Sequence, residues 1–343
     1  MRKKKVSLKD IAREVGVSTA TVSYVLSKGK ESKVSPAVSE KVKKVAKSLN
    51  YQPNQIAKSL KSGKTFTIGL IVADISNPFF AHIARIIEDE ASKLNYTVIF
   101  GSSDEKPAKS WQLIQFLINR QVDGFIVAPT EGSEDQINYL KKEHIPFVLI
   151  DRFFPNIPTN FVAIDNYKAA YNAVTRLIET GNKEIGIIAY DSSLHHMRER
   201  VRGYQKAMSD NHLKVNKNWQ NEINFSNMKE EIKEAINTML LGKDPVKAIF
   251  FATNSLAIDG LKFIETLNYK VSRDIAILSF DEGVAFDFYY CPLTHVKQPL
   301  TDFGKHAVRI LINQISNQQQ EKEQIFLDAE LVIRDSCRIN HIP

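Results

Sequence analysis

Cysteine is scarce in the 343 residues: Cys291 and Cys337 are the only two. That is too few for a disulfide framework or a four-ligand zinc site, so both are expected to be reduced and structural. No stretch approaches the roughly 18 consecutive apolar residues of a membrane span. The basic start Met1-Arg2-Lys3-Lys4-Lys5 leads into Val6-Ser7-Leu8-Lys9-Asp10 without the apolar core of a secretory signal. A cytoplasmic location with no membrane contact is expected. Nucleotide-binding glycine loops, a G-x-S-x-G elbow and an H-E-x-x-H pair are all missing, so neither catalysis nor a cofactor is expected. The adjacent pair His195-His196 has no third ligand in register, and no metal site is expected there.

What is present is an ordinary globular composition, 43% hydrophobic and 25% charged, in a chain long enough for two or three packing units. The net charge of +7 is unevenly placed. Residues 1–64 hold 16 Lys and Arg against 4 Asp and Glu, and the remainder holds 30 against 35. A net +12 on one short segment and −5 on the rest points to a basic module for a polyanion joined to a body that need not touch it.

Within the basic segment, Leu8, Ile11, Ala12 and Val15 fall at helical spacing behind Ser7 and stop at Gly16. Ser18 then caps a second helix with Val22, Val25 and Leu26 on one face and Thr19, Ala20, Thr21, Ser23 and Tyr24 on the other. A third helix opens at Ser35-Pro36 and turns Val38, Val42, Val45, Ala46 and Leu49 inward, with Lys41, Lys43, Lys44 and Lys47 largely outward. Two short helices joined by a tight turn with glycine read as a helix-turn-helix, whose second helix places its first residues at base edges in the major groove, or as a plain helical hairpin. Pro53 to Leu60 is helix-capable for about two turns, marginal in water by itself.

From Thr67 onward, short apolar runs alternate with amphipathic stretches. The runs are Thr67–Val72, Tyr96–Phe100, Gly124–Val127 and Phe147–Ile150, then Ile185–Ala189, Ala248–Phe251 and Ile275–Phe280. Helices are read near Ala169–Glu179, Arg200–Ser209, Met228–Leu240 and Leu256–Leu267. This is α/β punctuation with parallel sheets. Two such subdomains would hold a small molecule between the carboxyl ends of their strands. Asp74, Asn77, Phe79, Asp151, Arg200, Thr253, Asn254 and Asp281 lie at or near those ends and suit the directed hydrogen bonds of a polyol. Phe286, Phe288, Tyr289 and Tyr290 form an aromatic group read as near the cleft, either stacking on a sugar ring or packing against a subdomain or a dimer partner.

Leu8-Lys9-Asp10-Ile11-Ala12, Gly16-Val17-Ser18, Thr21-Val22-Ser23 and Leu49-Asn50-Tyr51-Gln52-Pro53-Asn54 occur in order, followed by Ala57, Leu60, Ile68-Gly69-Leu70-Ile71-Val72 and Ser76-Asn77-Pro78-Phe79-Phe80. In these residues the chain resembles the lactose/galactose repressor family of bacterial transcription regulators over nearly its whole length. The resemblance implies a helix-turn-helix domain at 1–52, a hinge helix and linker at 53–65, and an effector-binding and dimerisation body at 66–343. The body would have the fold of periplasmic sugar-binding proteins, with one subdomain at about 66–165 and 294–323 and the other at about 166–293 and 324–338. Operator contacts would come from Ser18, Thr19, Ala20, Thr21, Ser23, Tyr24, Asn54 and Ala57, with Leu60 as a wedge in the minor groove. Asp151, Arg200, Thr253 and Asp281 would touch the effector. Two departures are visible: Thr253-Asn254 stands where many relatives carry Asn-Asp, and Tyr24 stands where a relative has a base-reading arginine, so no operator sequence carries over. The expectation is a repressor that binds a palindromic duplex operator as a homodimer, controlled by a sugar or sugar phosphate rather than a purine. With no heptad tail, a coiled-coil tetramer is not expected. A solute-binding protein with the same body would instead begin with a signal peptide and lack the basic helices.

Overall fold

The computed structural model describes residues 6–26, 34–52, 63–316 and 321–338. The chain divides into two compact units, Met1–Thr65 and Phe66–Pro343.

The first unit is built from α1 (Leu8–Val15), α2 (Thr19–Leu26) and α3 (Pro36–Ser48). Local chemistry sets the first two helices. The Ser7 backbone N–H donates to the Asp10 carboxylate at 2.9 Å, its hydroxyl donates at 2.7 Å, and Gly16 closes α1 at φ 80°, a conformation costly for other residues. Ser18 Oγ then accepts from the Thr21 N–H at 3.1 Å and caps α2. Ile11, Ala12, Val15, Val22, Val25, Val42 and Ala46 form the shared core. Lys41 of α3 donates to the Val15 carbonyl at 3.3 Å and ties the end of α1 to the third helix. The expected helix at 53–60, with Asn54, Ala57 and Leu60, lies outside the described residues.

In the second unit the chain runs β1 (Thr67–Val72), α4 (Pro78–Lys93), β2 (Thr97–Ser102), α5 (Pro107–Asn119), β3 (Gly124–Val127), α6 (Glu134–Lys142), β4 (Phe147–Ile150) and β5 (Phe161–Ile164). It continues with α7 (Asn166–Glu179), β6 (Ile185–Tyr190), α8 (His195–Asp210), β7 (Gln220–Ile223), α9 (Met228–Leu241), β8 (Ala248–Phe251), α10 (Asn254–Thr266), β9 (Ala276–Phe280) and α11 (Val284–Phe288). The last elements are β10 (Thr294–Lys297), α12 (Leu300–Ile315), β11 (Gln324–Leu327) and β12 (Glu330–Val332). Two six-stranded sheets result, ordered β11-β5-β4-β3-β1-β2 and β12-β10-β9-β8-β6-β7. All pairings are parallel except β10 with β12. The central strands read as unbroken apolar runs because helices cover both faces. One buried cluster runs through both sheets and their helices, so the two subdomains share a core.

Several sequence boundaries move. The strand read as Tyr96–Phe100 spans Thr97–Ser102, and the helix read from Arg200 begins at His195, which takes His195-His196 out of a loop and places Arg200 in a helix interior. The second crossing between subdomains follows Lys297, not residue 293, because β10 pairs with β9. The third follows Leu327, not residue 324, because β11 pairs with β5 in the first sheet. Gly203 permits the close packing of α7 and α8: a Cβ there would stand 2.5 Å from the Tyr167 carbonyl oxygen. Both cysteines are buried and free. Among the described residues, no helix is long and apolar enough to cross a membrane.

Candidate functional site

The carboxyl ends of β1, β3 and β4 face those of β6, β8 and β9 across an open cleft of about 160 Å³. The first subdomain contributes Asp74, Asn77, Phe79, Phe80, Glu105, Glu131, Asp151 and Arg152. Opposite them stand Tyr190, Asp191, His196, Arg200, Phe225, Thr253 and Asp281, and Gln298 lies at the second crossing. Asp151 and Asp281 each follow directly on a strand, β4 and β9, and both adopt positive φ, 65° and 66°. Aspartate tolerates this conformation better than most residues. Two such residues at equivalent strand ends mark a place where backbone preference gives way to side-chain placement.

Each guanidinium in the cleft has fixed partners. Arg152 donates to both Glu105 carboxylate oxygens at 2.7 Å and lies 3.4 Å from Asp151. Burial disfavours its charge, but Glu105 and Asp151 outweigh that and hold it protonated. Arg200 donates from Nε to Asn166 Oδ1 at 2.8 Å and from Nη1 to the Ala252 carbonyl at 2.7 Å. It lies 3.7 Å from Asp281, with its guanidinium 3.5 Å from the Phe280 ring centre. Burial lowers its pKa, while Asp281 and Asp151 oppose that shift. His196 is buried, and burial followed by Arg152 and Arg200 pushes its pKa well below the usual value. It is therefore neutral at pH 7, and its Nδ1 has no hydrogen-bond partner among the described residues.

Burial raises the Asp151 carboxyl from 3.8 to about 6, although Arg152 and Arg200 pull the other way. A carboxyl that holds its proton more tightly folded than unfolded makes stability fall as pH rises between those two values. Asp151→Asn should remove that contribution. Melting curves of the variant and the parent, recorded from about pH 4 to pH 7, should diverge through this window in the variant's favour. Parallel curves would contradict the assignment.

Contacts across the cleft join the subdomains directly. The Glu131 carboxylate accepts from the Ser193 N–H at 3.0 Å, from the Ser193 hydroxyl, and from the Ser192 hydroxyl at 3.2 Å. Partial burial pushes this carboxyl up, but the three hydrogen bonds and Arg198 bring it below its ordinary value. Asn254 reaches Asn77 at 3.5 Å.

Of the eight ligand residues read from the sequence, Asp74, Asn77, Phe79, Asp151, Arg200, Thr253 and Asp281 line the cleft. Asn254 does not: it is fully buried and donates to the Glu282 carbonyl at 3.2 Å. Asn77 and Thr253 are also helix caps, accepting from the Phe79 and Leu256 N–H groups. The aromatic group at 286–290 is not part of the lining. Phe286 sits in a buried core, the Tyr289 hydroxyl donates to Glu265 at 2.6 Å, and Phe288 is 84% exposed. The aromatic walls are instead Phe79, Phe80, Tyr190 and Phe225, the last pair 5.5 Å apart. Tyr190 and Phe225 border strands β6 and β7, the signal by which they are legible in retrospect. On the first unit, Ser18, Thr19 and Ala20 are exposed at the start of α2, and Thr21, Ser23 and Tyr24 are half-buried. Lys41, Lys43, Lys44 and Lys47 are exposed on α3.

Residues 7–54 match the family model described as bacterial regulatory proteins, lacI family, and residues 174–337 match a periplasmic binding protein-like domain. The chain is 32% identical to the HTH-type transcriptional repressor PurR of Photobacterium profundum, over 97% of this chain and 98% of that one. Among solved structures, a complex of the transcriptional regulator CelR with cellobiose is similar at a TM-score of 0.72 and 25% identity, over 97% of this chain and 100% of that one. The lac repressor dimer bound to operator and the anti-inducer ONPF is similar in fold, with a TM-score of 0.86 and 24% identity over 98% of this chain and 100% of that one. The chain thus belongs to the lacI family of bacterial regulatory proteins and is a DNA-binding regulator of transcription.

Proposed function

We propose that this regulator is a repressor that binds a palindromic operator as a homodimer, and that a sugar-class effector in the cleft changes its affinity for that operator. The observation that carries the effector reading is the cleft itself: facing strand ends from two subdomains, with Asp151 and Asp281 in matched, positive-φ positions. Carboxylates, an amide and aromatic walls suit a polyol, and the similar regulator CelR is solved with cellobiose. Because both subdomains line the cleft, a ligand that bridges them sets the angle between them.

In the DNA reading, Ser18, Thr19, Ala20, Thr21, Ser23 and Tyr24 face base edges and the lysines hold phosphates. Asn54, Ala57 and Leu60 are kept as contacts at the operator centre. One three-helix module has too little surface for nanomolar specificity, so two act together. Exposed apolar side chains support a second copy as the partner: Ile99 and Phe100 lie on edge strand β2, with Phe100 60% exposed. A ligand-driven change in subdomain angle need supply only about 1.4 kcal/mol to alter operator affinity tenfold.

Selection of bound duplexes from a random pool by the full-length chain tests the DNA half of this proposal. The expected product is a two-fold symmetric site with half-site centres about 10 base pairs apart, or a multiple of that. Enrichment of a single unsymmetric half-site would contradict the dimer.

A further inference from the structure

We infer that the cleft is built for an uncharged sugar and rejects the phosphorylated form of the same sugar. This rests on the reading of the cleft as the effector site. Six carboxylates line it, those of Asp74, Glu105, Glu131, Asp151, Asp191 and Asp281, against two guanidiniums. Both guanidiniums are already paired with protein groups, although Arg152 Nε, 3.4 Å from Asp151, has no hydrogen-bond partner among the described residues. Arg152 is held by Glu105 in a two-pronged pair, and Arg200 by Asn166, the Ala252 carbonyl and Asp281. Among the described residues, no lysine lines the cleft. The nearby cation is Arg198, exposed and facing the Glu131 carboxylate. A phosphate would therefore meet six carboxylates and would have to compete with them for two guanidiniums already paired.

A second observation is independent of charge. Gln298 is 3% exposed, and its Nε2 donates to Asp281 Oδ1 at 2.6 Å, which fixes the amide orientation. Its Oε1 then has no partner among the described residues. That atom accepts hydrogen bonds only, as do the surrounding carboxylates, so a matching ligand must bring donors. Hydroxyl groups donate, whereas the oxygens of a phosphate dianion only accept. His196 Nδ1, also unpartnered among the described residues, is a second buried polar atom that a hydroxyl, both donor and acceptor, satisfies in either tautomer.

The test uses the full-length chain and matched probes: glucose with glucose 6-phosphate, ribose with ribose 5-phosphate, and cellobiose, alongside hypoxanthine. Thermal shift selects binders and calorimetry measures them. At least one neutral sugar is expected to bind, and its phosphate to bind at least about a hundredfold more weakly, the consequence of like charges brought together in a buried site. Asp74→Asn with Asp191→Asn should narrow that ratio. A sugar phosphate that binds as tightly as its parent sugar overturns the inference while leaving the sugar reading intact. If only hypoxanthine binds, or no sugar binds in any form, the sugar reading itself fails and the inference falls with it.

Discussion

A chain that begins at Thr65 is expected to lose operator binding entirely while remaining folded and ligand-competent. The charge excess lies in the removed part, a net +12 against −5 in the rest. Among the described residues, the three-helix core draws no residue from the body, and the body's buried clusters draw none from the first unit. The expected loss is at least about a thousandfold in specific affinity, the lower end of the ratio by which such proteins prefer their sites over other DNA. For the intact protein, log affinity against log salt should fall with a slope of about −0.9 per phosphate contact. Gel shift and a melting curve of the truncated chain check both halves. Retained operator binding would place DNA contacts on the body and undo the division of labour.

Arg200→Ala should be the most damaging single change in the body. The side chain is 2% exposed and joins α8 to the start of α7, the end of β8 and the end of β9 through Asn166, Ala252 and Asp281. Its removal leaves an amide oxygen and a carbonyl without their donor and a buried carboxylate without its neighbouring cation. Breaking one side of a buried ion pair typically costs about 3–5 kcal/mol, and denaturant unfolding of the variant should show a loss of that order. Response to effector should disappear as well, with operator binding retained wherever the body stays folded. Arg200→Lys is not expected to restore either property, since an ammonium cannot span Asn166, Ala252 and Asp281 in one plane or stack on Phe280. A loss below about 1 kcal/mol would mean that the network is relaxed or hydrated in solution.

The helix-turn-helix was legible because its signals are local. Ser7, Gly16 and Ser18 each act within one turn of their own position, and the apolar spacing of Ile11, Ala12 and Val15 needs no distant partner. The central strands were equally plain, since burial on both faces leaves an uninterrupted apolar run such as Ala248–Phe251. Gln220–Ile223 carries no such run: it is an edge strand, polar for three of its four residues. The sheet memberships of Thr294–Lys297 and Gln324–Leu327 depend on pairing with strands far away in the chain, hence the displaced crossings. Helix His195–Asp210 hid its start because His195, His196, Arg198, Glu199 and Arg200 lack an apolar stripe, the buried face being partly polar. Arg200 is therefore read as the first residue of the helix instead of part of its interior, although its cleft position is anticipated from the family resemblance. The aromatic cluster at 286–290 misled for a related reason: composition shows that aromatic rings are present, but only the fold turns Phe286 inward and leaves Phe288 exposed. Gln298 and Glu131 had no sequence signal, since their importance lies in bonds to Asp281 and to Ser192 and Ser193 across the tertiary structure.

The central claim is that a molecule in the cleft and DNA on the basic unit influence each other's binding. The most direct measurement is the operator affinity of the full-length chain, by fluorescence anisotropy on a selected duplex, with and without a saturating sugar already shown to bind. A change of tenfold or more in Kd is expected, in either direction, and the duplex should shift sugar affinity by the same factor because coupling is reciprocal. A sugar that fills the cleft tightly and leaves operator affinity unchanged would contradict the account.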